Sequence, residues 1–213
     1  MKLNFLLFTL ITLTAQANLG SFDNQNRLLN PNTNQPFTGN LDVINKDWGN
    51  EAIEFNKDYV DGILHGAEKS YYKSGKLKTL GYFNQGKVDG AVTGYYEDGG
   101  IQVRAFFDNG LKQGRVIYYY PNGNRQTEQF FDNDVLNGTH KVWYENGNPM
   151  KSIPYKQGLV HGIVKTYYEE GGVFEELKYE YGTPKYMFIY REDGTLADEK
   201  GFLDKGVLER IIG

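Results

Sequence analysis

The sequence predicts an all-β fold: an elongated, single-sheet antiparallel β-meander assembled from 24-residue β-hairpins. Glycine recurs in three registers with one period: Gly75, Gly99, Gly123, Gly147 and Gly171; Gly62, Gly86, Gly110, Gly158, Gly182 and Gly206, with Asp134 in the vacant slot; and Gly66, Gly90, Gly114, Gly138 and Gly162. Two aromatics precede glycines of the first register, as in "YYEDG", "YYPNG" and "WYENG". Aromatics make up 15% of the chain, with Gly 26 and Pro only 6, a composition suited to short strands joined by tight turns. A fixed period of this length marks a repeat array, in which each unit packs on its neighbours.

Each unit supplies two strand-like runs and two turns. In "GAVTGYYEDGGIQVRAFFDNG" the first run ends at Tyr95-Tyr96, and Asp98-Gly99 turns the chain. The second run, Ile101 to Phe107, ends at Asn109-Gly110. Asn-Gly and Asp-Gly suit a type I′ turn, whose two central residues both need positive φ. Asn122-Gly123, Asn146-Gly147 and Asp193-Gly194 are expected to repeat that geometry. Nothing in the array reads as a helix. With strands about 4.8 Å apart, a unit advances the sheet by about 10 Å, and six units make a twisted body about 60 Å long.

Three segments are expected. Residues 1–17 read as a signal peptide: Lys2, an apolar run from Leu3 to Leu13, and the small-x-small site Ala15-Gln16-Ala17. The apolar run is too short for a spanning helix. This implies export to the periplasm, the cell surface or the medium. Residues 18–38 read as an irregular lead-in, and 39–213 as the array. Its first unit, 39–62, is degenerate, with Trp48-Gly49 at the turn. Ile189-Tyr190 sits one position short of register, and "DKGVLERIIG" reads as half a unit. There is no cysteine, so neither disulfides nor a cysteine-linked lipid are available. The formal net charge is −4 without a basic block, which disfavours nucleic acid and anionic membrane lipid as partners.

Alternation along a strand sorts side chains onto two faces. The Tyr72, Tyr96, Tyr120, Tyr144 and Tyr168 column, with Phe83, Phe107, Phe131, Tyr155 and Tyr179, is expected on the core side. The other parity carries Tyr71, Tyr95, Tyr119, Trp143 and Tyr167, and on the second strand Tyr82, Phe106 and Phe130. These eight are the candidate binding residues, because contiguous exposed aromatic surface marks an interaction site. Gly75, Gly99, Gly123, Gly147 and Gly171 are expected as structural turn residues.

The residues offer no catalytic set and no cofactor or metal site. His65 and His161 occupy one repeat slot that elsewhere holds Asp89, Gln113 and Asn137, which is turn chemistry; His140 stands alone on a strand. "DNDVLNG" has the look of an Asp-rich calcium loop but lacks the carboxylate at its twelfth position. The glycines sit at hairpin tips and not between a strand and a helix, so no phosphate loop forms.

The unit Gly-x-x-x-Gly, two aromatics, x-Asn-Gly and an aromatic strand end resembles the bacterial variant of the MORN (membrane occupation and recognition nexus) repeat, best in "NQGKVDGAVTGYYEDGG" and "LNGTHKVWYENGNP". The resemblance covers about residues 39 to 210. It implies an elongated antiparallel array that binds something, and it does not imply an enzyme, although MORN repeats also occur fused to lipid kinases. Bacterial chains of this kind are often labelled YwqK-type antitoxins. The expected function is therefore an exported, non-enzymatic protein-interaction scaffold working through its aromatic face, with an envelope or cell-surface protein as partner. Recognition of polysaccharide in the cell wall and masking of a toxin are the alternatives.

Overall fold

A computed structural model describes residues 21–48 and 52–201. The expected signal peptide, the Trp48-Gly49 turn glycine and the closing half unit lie outside the described residues. The expected all-β meander is what forms: 18 strands in one antiparallel sheet. The first unit gives β1 (Gly39–Ile44), a 3-10 turn over Lys46–Trp48 that the sequence did not suggest, and β2 (Ile53–Val60). Then follow β3 (Ile63–Tyr71), β4 (Leu77–Asn84), β5 (Lys87–Val88), β6 (Gly90–Tyr95), β7 (Ile101–Asp108), β8 (Leu111–Lys112) and β9 (Gly114–Tyr119). The second half comprises β10 (Arg125–Asp132), β11 (Val135–Leu136), β12 (Gly138–Trp143), β13 (Pro149–Lys156), β14 (Leu159–Val160), β15 (Gly162–Tyr167), β16 (Val173–Glu180), β17 (Thr183–Tyr190) and β18 (Leu196–Gly201).

The two-residue strands refine the expected hairpin. The long strand β4 pairs first with β5 (Phe83↔Val88) and then with β6 (Thr79↔Gly94), so Asp89 and Gly90 are extra on the returning side. The same bulge recurs between β7 and β9, β10 and β12, and β13 and β15. The Asp89 N–H bridges the gap by donating to the Tyr82 carbonyl at 2.8 Å, and His161 does the same to Pro154 at 2.9 Å. β17 has one residue fewer in this bulge, with Tyr179↔Pro184 followed by Glu175↔Ile189. That deletion is why Ile189-Tyr190 falls one position short.

The two turns of each unit differ, and this corrects the expectation of one turn type. At Asn109-Gly110 both residues have positive φ (49° and 93°), the type I′ form. Asn133 and Asp134 (49° and 65°) achieve it without glycine. At Asn122-Gly123 glycine alone is left-handed (86°), and its N–H donates to Tyr120 O at 2.9 Å. This is a type I turn closed by a glycine bulge. Asn122 contributes through its side chain: Oδ1 accepts from the Asn124 N–H at 2.9 Å. Asp98, Asn146 and Asp193 accept from Gly100, Asn148 and Thr195 in the same way. A short carboxamide or carboxylate suits both turns, but for different reasons.

Substantial contacts run between ladder neighbours, as in a linear array. One face carries the core. Val92, Val116 and Val164 are only 3%, 2% and 5% exposed, joined by Phe107 and by the buried Ser70 and Thr127. Burying a valine contributes about 1.5–3 kcal/mol. Side chains of β4, β6, β7 and β9 on this face enclose a cavity of about 40 Å³. The lead-in is more ordered than its composition suggested. Leu28 (2% exposed) donates its N–H to Gly62 O at 2.8 Å, and Gly62 donates to Phe37 O at 2.7 Å. It thus caps the tip of the β2–β3 hairpin.

Candidate functional site

Strand register decides which side chains share a face. Thr93 opposes Arg104, Arg104 opposes Ile117, Ile117 opposes Glu128, Glu128 opposes Lys141, Lys141 opposes Ser152, and Ser152 opposes Lys165. This transverse row continues through Lys69 and Leu80 on one side and Glu176 on the other. It lies on the face opposite the buried valines.

The two candidate aromatic rows flank it. Tyr71, Tyr95, Tyr119, Trp143 and Tyr167 end β3, β6, β9, β12 and β15, each two residues past a member of the central row, and all are half-buried. Tyr82 and Phe106, 45% and 49% exposed, lie on β4 and β7 on the other side, with a half-buried Phe130 on β10. All eight candidates therefore come to one face. Rings of the first row stand two strands apart, about 10 Å.

The electrostatics of this face differ from those of the whole chain. Glu128, 4% exposed, is held between Arg115 (Nε 3.8 Å) and Arg125 (Nη1 3.4 Å). The Arg115 guanidinium also lies 5.1 Å from the Phe130 ring centre. Glu176 is tied to Lys165 at 2.7 Å, and its hydrogen bond is the first cause raising the Lys165 pKa above its ordinary value. Both carboxylates between Lys69 and Glu176 are thus already paired, while Asp42 and Glu199, at the two ends of the row, are exposed and, among the described residues, in no ion pair. Among the described residues, Lys69, Arg104 and Lys141 have no carboxylate within ion-pair distance. Beside Lys141 a cleft of about 240 Å³ opens, walled by Trp143, Tyr167, Pro149 and Ser152.

The second tyrosine of each pair has a role that the sequence pattern left unread. Its hydroxyl donates to the backbone carbonyl of the first aromatic of the next unit: Tyr72 to Tyr95 at 2.6 Å, Tyr96 to Tyr119 at 2.5 Å, Tyr120 to Trp143 at 2.8 Å, and Tyr144 to Tyr167 at 3.0 Å. Tyr168 closes on Tyr190 at 2.7 Å, one residue early, as the β17 deletion requires. Burial is the first cause raising the pKa of Tyr72, Tyr96 and Tyr120 above the ordinary phenol value. A chain of 24-residue units bound carbonyl to hydroxyl is what the aromatic pair and its glycine turn encode. The family model described as the MORN repeat variant matches residues 64–85, 88–109, 112–133, 136–157 and 160–181. The chain belongs to this family. The comparison with curated proteins gives no match.

Within the MORN-variant array, the shared histidine slot is also structural. His161 Nδ1 accepts from the Tyr181 N–H at 3.3 Å, with the two rings 4.4 Å apart. Gln113 Oε1 accepts from the equivalent Asn133 N–H at 2.9 Å. In these two units the slot supplies a polar acceptor to the next hairpin tip, whereas Asp89 in the same slot accepts from Asn84 Nδ2 within its own hairpin at 3.3 Å. Among the described residues no group of three His, Cys, Asp or Glu side chains could hold a metal ion.

Proposed function

We propose that this MORN-variant chain is an exported, non-catalytic binding scaffold that presents its two aromatic rows to another macromolecule. The observation that carries the reading is the placement of eight aromatic side chains on one face, opposite the face that holds the buried valines. Rings there are not needed to fill a core, and contiguous exposed aromatic surface marks interaction sites. The histidines serve backbone contacts or stand alone, which favours binding over turnover. Export rests on the pattern of residues 1–17.

The test replaces Tyr95, Tyr119 and Trp143 together with Ser and compares capture from an envelope extract with that of the unaltered chain. Loss of every captured species, with an unchanged far-UV spectrum, supports the face. Unchanged capture by a folded triple variant would refute it. For export, cells producing the chain with Ala15→Arg and Ala17→Arg should retain it, where the unaltered chain leaves the cytoplasm.

A further inference from the structure

We propose that the aromatic face is built for an acidic polysaccharide, a chain of carboxylate-bearing sugar rings. This rests on the face being the binding surface, and it names the class of occupant. The formal net charge of −4 points away from an anionic partner, yet the central row from Lys69 to Glu176 carries four cations against two carboxylates. Between the two aromatic rows the central row carries Lys69, Arg104, Glu128, Lys141, Lys165 and Glu176. Glu128 is covered by Arg115 and Arg125, and Glu176 by Lys165. Between Lys69 and Glu176 what is left without an ion pair among the described residues is cationic; the exposed carboxylates of Asp42 and Glu199 end the row, beyond Asn56 and Phe188, and Asp108 and Asp132 stand at the strand ends past Phe106 and Phe130.

Lys69 on β3, Arg104 on β7 and Lys141 on β12 are each three strands apart in the ladder, at intervals of about 14 Å. Rings of Tyr71, Tyr95, Tyr119, Trp143 and Tyr167 run alongside at about 10 Å. An extended ligand thus meets aromatic surface and cation in alternation. Sugars match this: the C–H face of a pyranose stacks on a ring, and a ring carboxylate takes an ammonium or guanidinium. The cleft of about 240 Å³ by Lys141, with Trp143 and Tyr167 as walls and Ser152 beside them, holds the elements for one acidic ring. An acidic peptide is the weaker fit. Peptides add to sheets through an open edge, and inside this face the ladder already uses the backbone groups on which strand addition depends.

The experiment measures retention of the purified chain on beads bearing polygalacturonate, neutral dextran or poly-glutamate. The expected result is retention on polygalacturonate alone, weakened by salt because exposed charges are screened. Lys69→Gln, Arg104→Gln and Lys141→Gln together should weaken binding at least tenfold. Lys73→Gln, Lys76→Gln and Lys78→Gln, the first two in a turn and the third against the core-side Tyr72 ring, remove equal charge off this face and should change it less than twofold. No retention on polygalacturonate, equal retention on poly-glutamate, or equal loss in both triple variants would each overturn the proposal. Its failure is separable from that of the aromatic face: protein captured through Tyr95, Tyr119 and Trp143, with polygalacturonate ignored, leaves the binding face standing and removes the polysaccharide.

Discussion

The hydroxyl of Tyr120 donates to the backbone carbonyl of Trp143, 23 residues on, at 2.8 Å. The ladder between β10 and β12 ends at Thr127↔Val142, and Trp143 lies just beyond it. Its carbonyl has run out of ladder donors, and the tyrosine of the previous unit replaces them. Repetition of this contact along the array makes it a coupling between units and not a local accident. In a linear array, stability is set by such nearest-neighbour terms.

Tyr120→Phe keeps the ring and removes the donor. The expected cost is about 1 kcal/mol, the usual net contribution of a hydrogen bond. Urea unfolding of Tyr96→Phe, Tyr120→Phe and the double variant would measure it. The two contacts lie at successive unit boundaries, so their costs should add. A double variant with the midpoint of the unaltered chain would show that the contact is incidental.

Gly94 has an ordinary extended backbone, so its reason for being glycine is steric. A Cβ there would stand 2.7 Å from Cγ1 of Val103, its cross-strand partner. Valine is stiff at χ1 and cannot step aside cheaply. Gly94→Ala should cost about 1–3 kcal/mol through overpacking. Adding Val103→Ala should restore part of that loss, although it removes buried methyls. A double variant less stable than the sum of the two singles would contradict the steric account.

Gly123 is the opposite case. Its φ is +86°, and an added Cβ would meet nothing within 4 Å. Gly123→Ala therefore tests backbone strain alone, at about 1 kcal/mol. Asn122→Ala should cost a comparable amount by removing the acceptor for the Asn124 N–H and the donor to Glu145 O. Thermal denaturation of both variants separates the contributions. An unchanged midpoint for Gly123→Ala would mean that this turn is not held in the left-handed form.

Period, meander and the sharing of one face by the eight aromatics were legible because a strand alternates with period two and a hairpin repeats with the unit. What stayed hidden depends on partners from another unit. "YYPNG" shows two tyrosines, but nothing local says that the hydroxyl of Tyr120 reaches Trp143. The Asn122-Gly123 and Asn109-Gly110 pairs look alike, and only the position of the bulge gives the first one positive φ and the second two. The order of the charges was hidden for a related reason. A net value averages two faces, while register places Lys69, Arg104 and Lys141 together and pairs Glu128 and Glu176 away.

His140 gives the pH dependence. It replaces the valines Val92, Val116 and Val164 in their column on the core face, with Nε2 buried and unpartnered among the described residues. Burial, and then the positive charge of Lys151, lower its pKa below 6.5. The folded chain thus takes up this proton at lower pH than the unfolded chain does. Between the folded pKa and 6.5 the unfolded state binds more protons, so stability falls as pH falls through that window. His140→Val should raise stability at neutral pH, since it removes an unsatisfied polar atom and restores the repeat's usual residue. It should also flatten the acid side of the profile. Urea midpoints of both chains at pH 7.5 and 5.5 give the comparison: the unaltered chain should lose more between the two values. Parallel losses would assign the acid sensitivity to other groups.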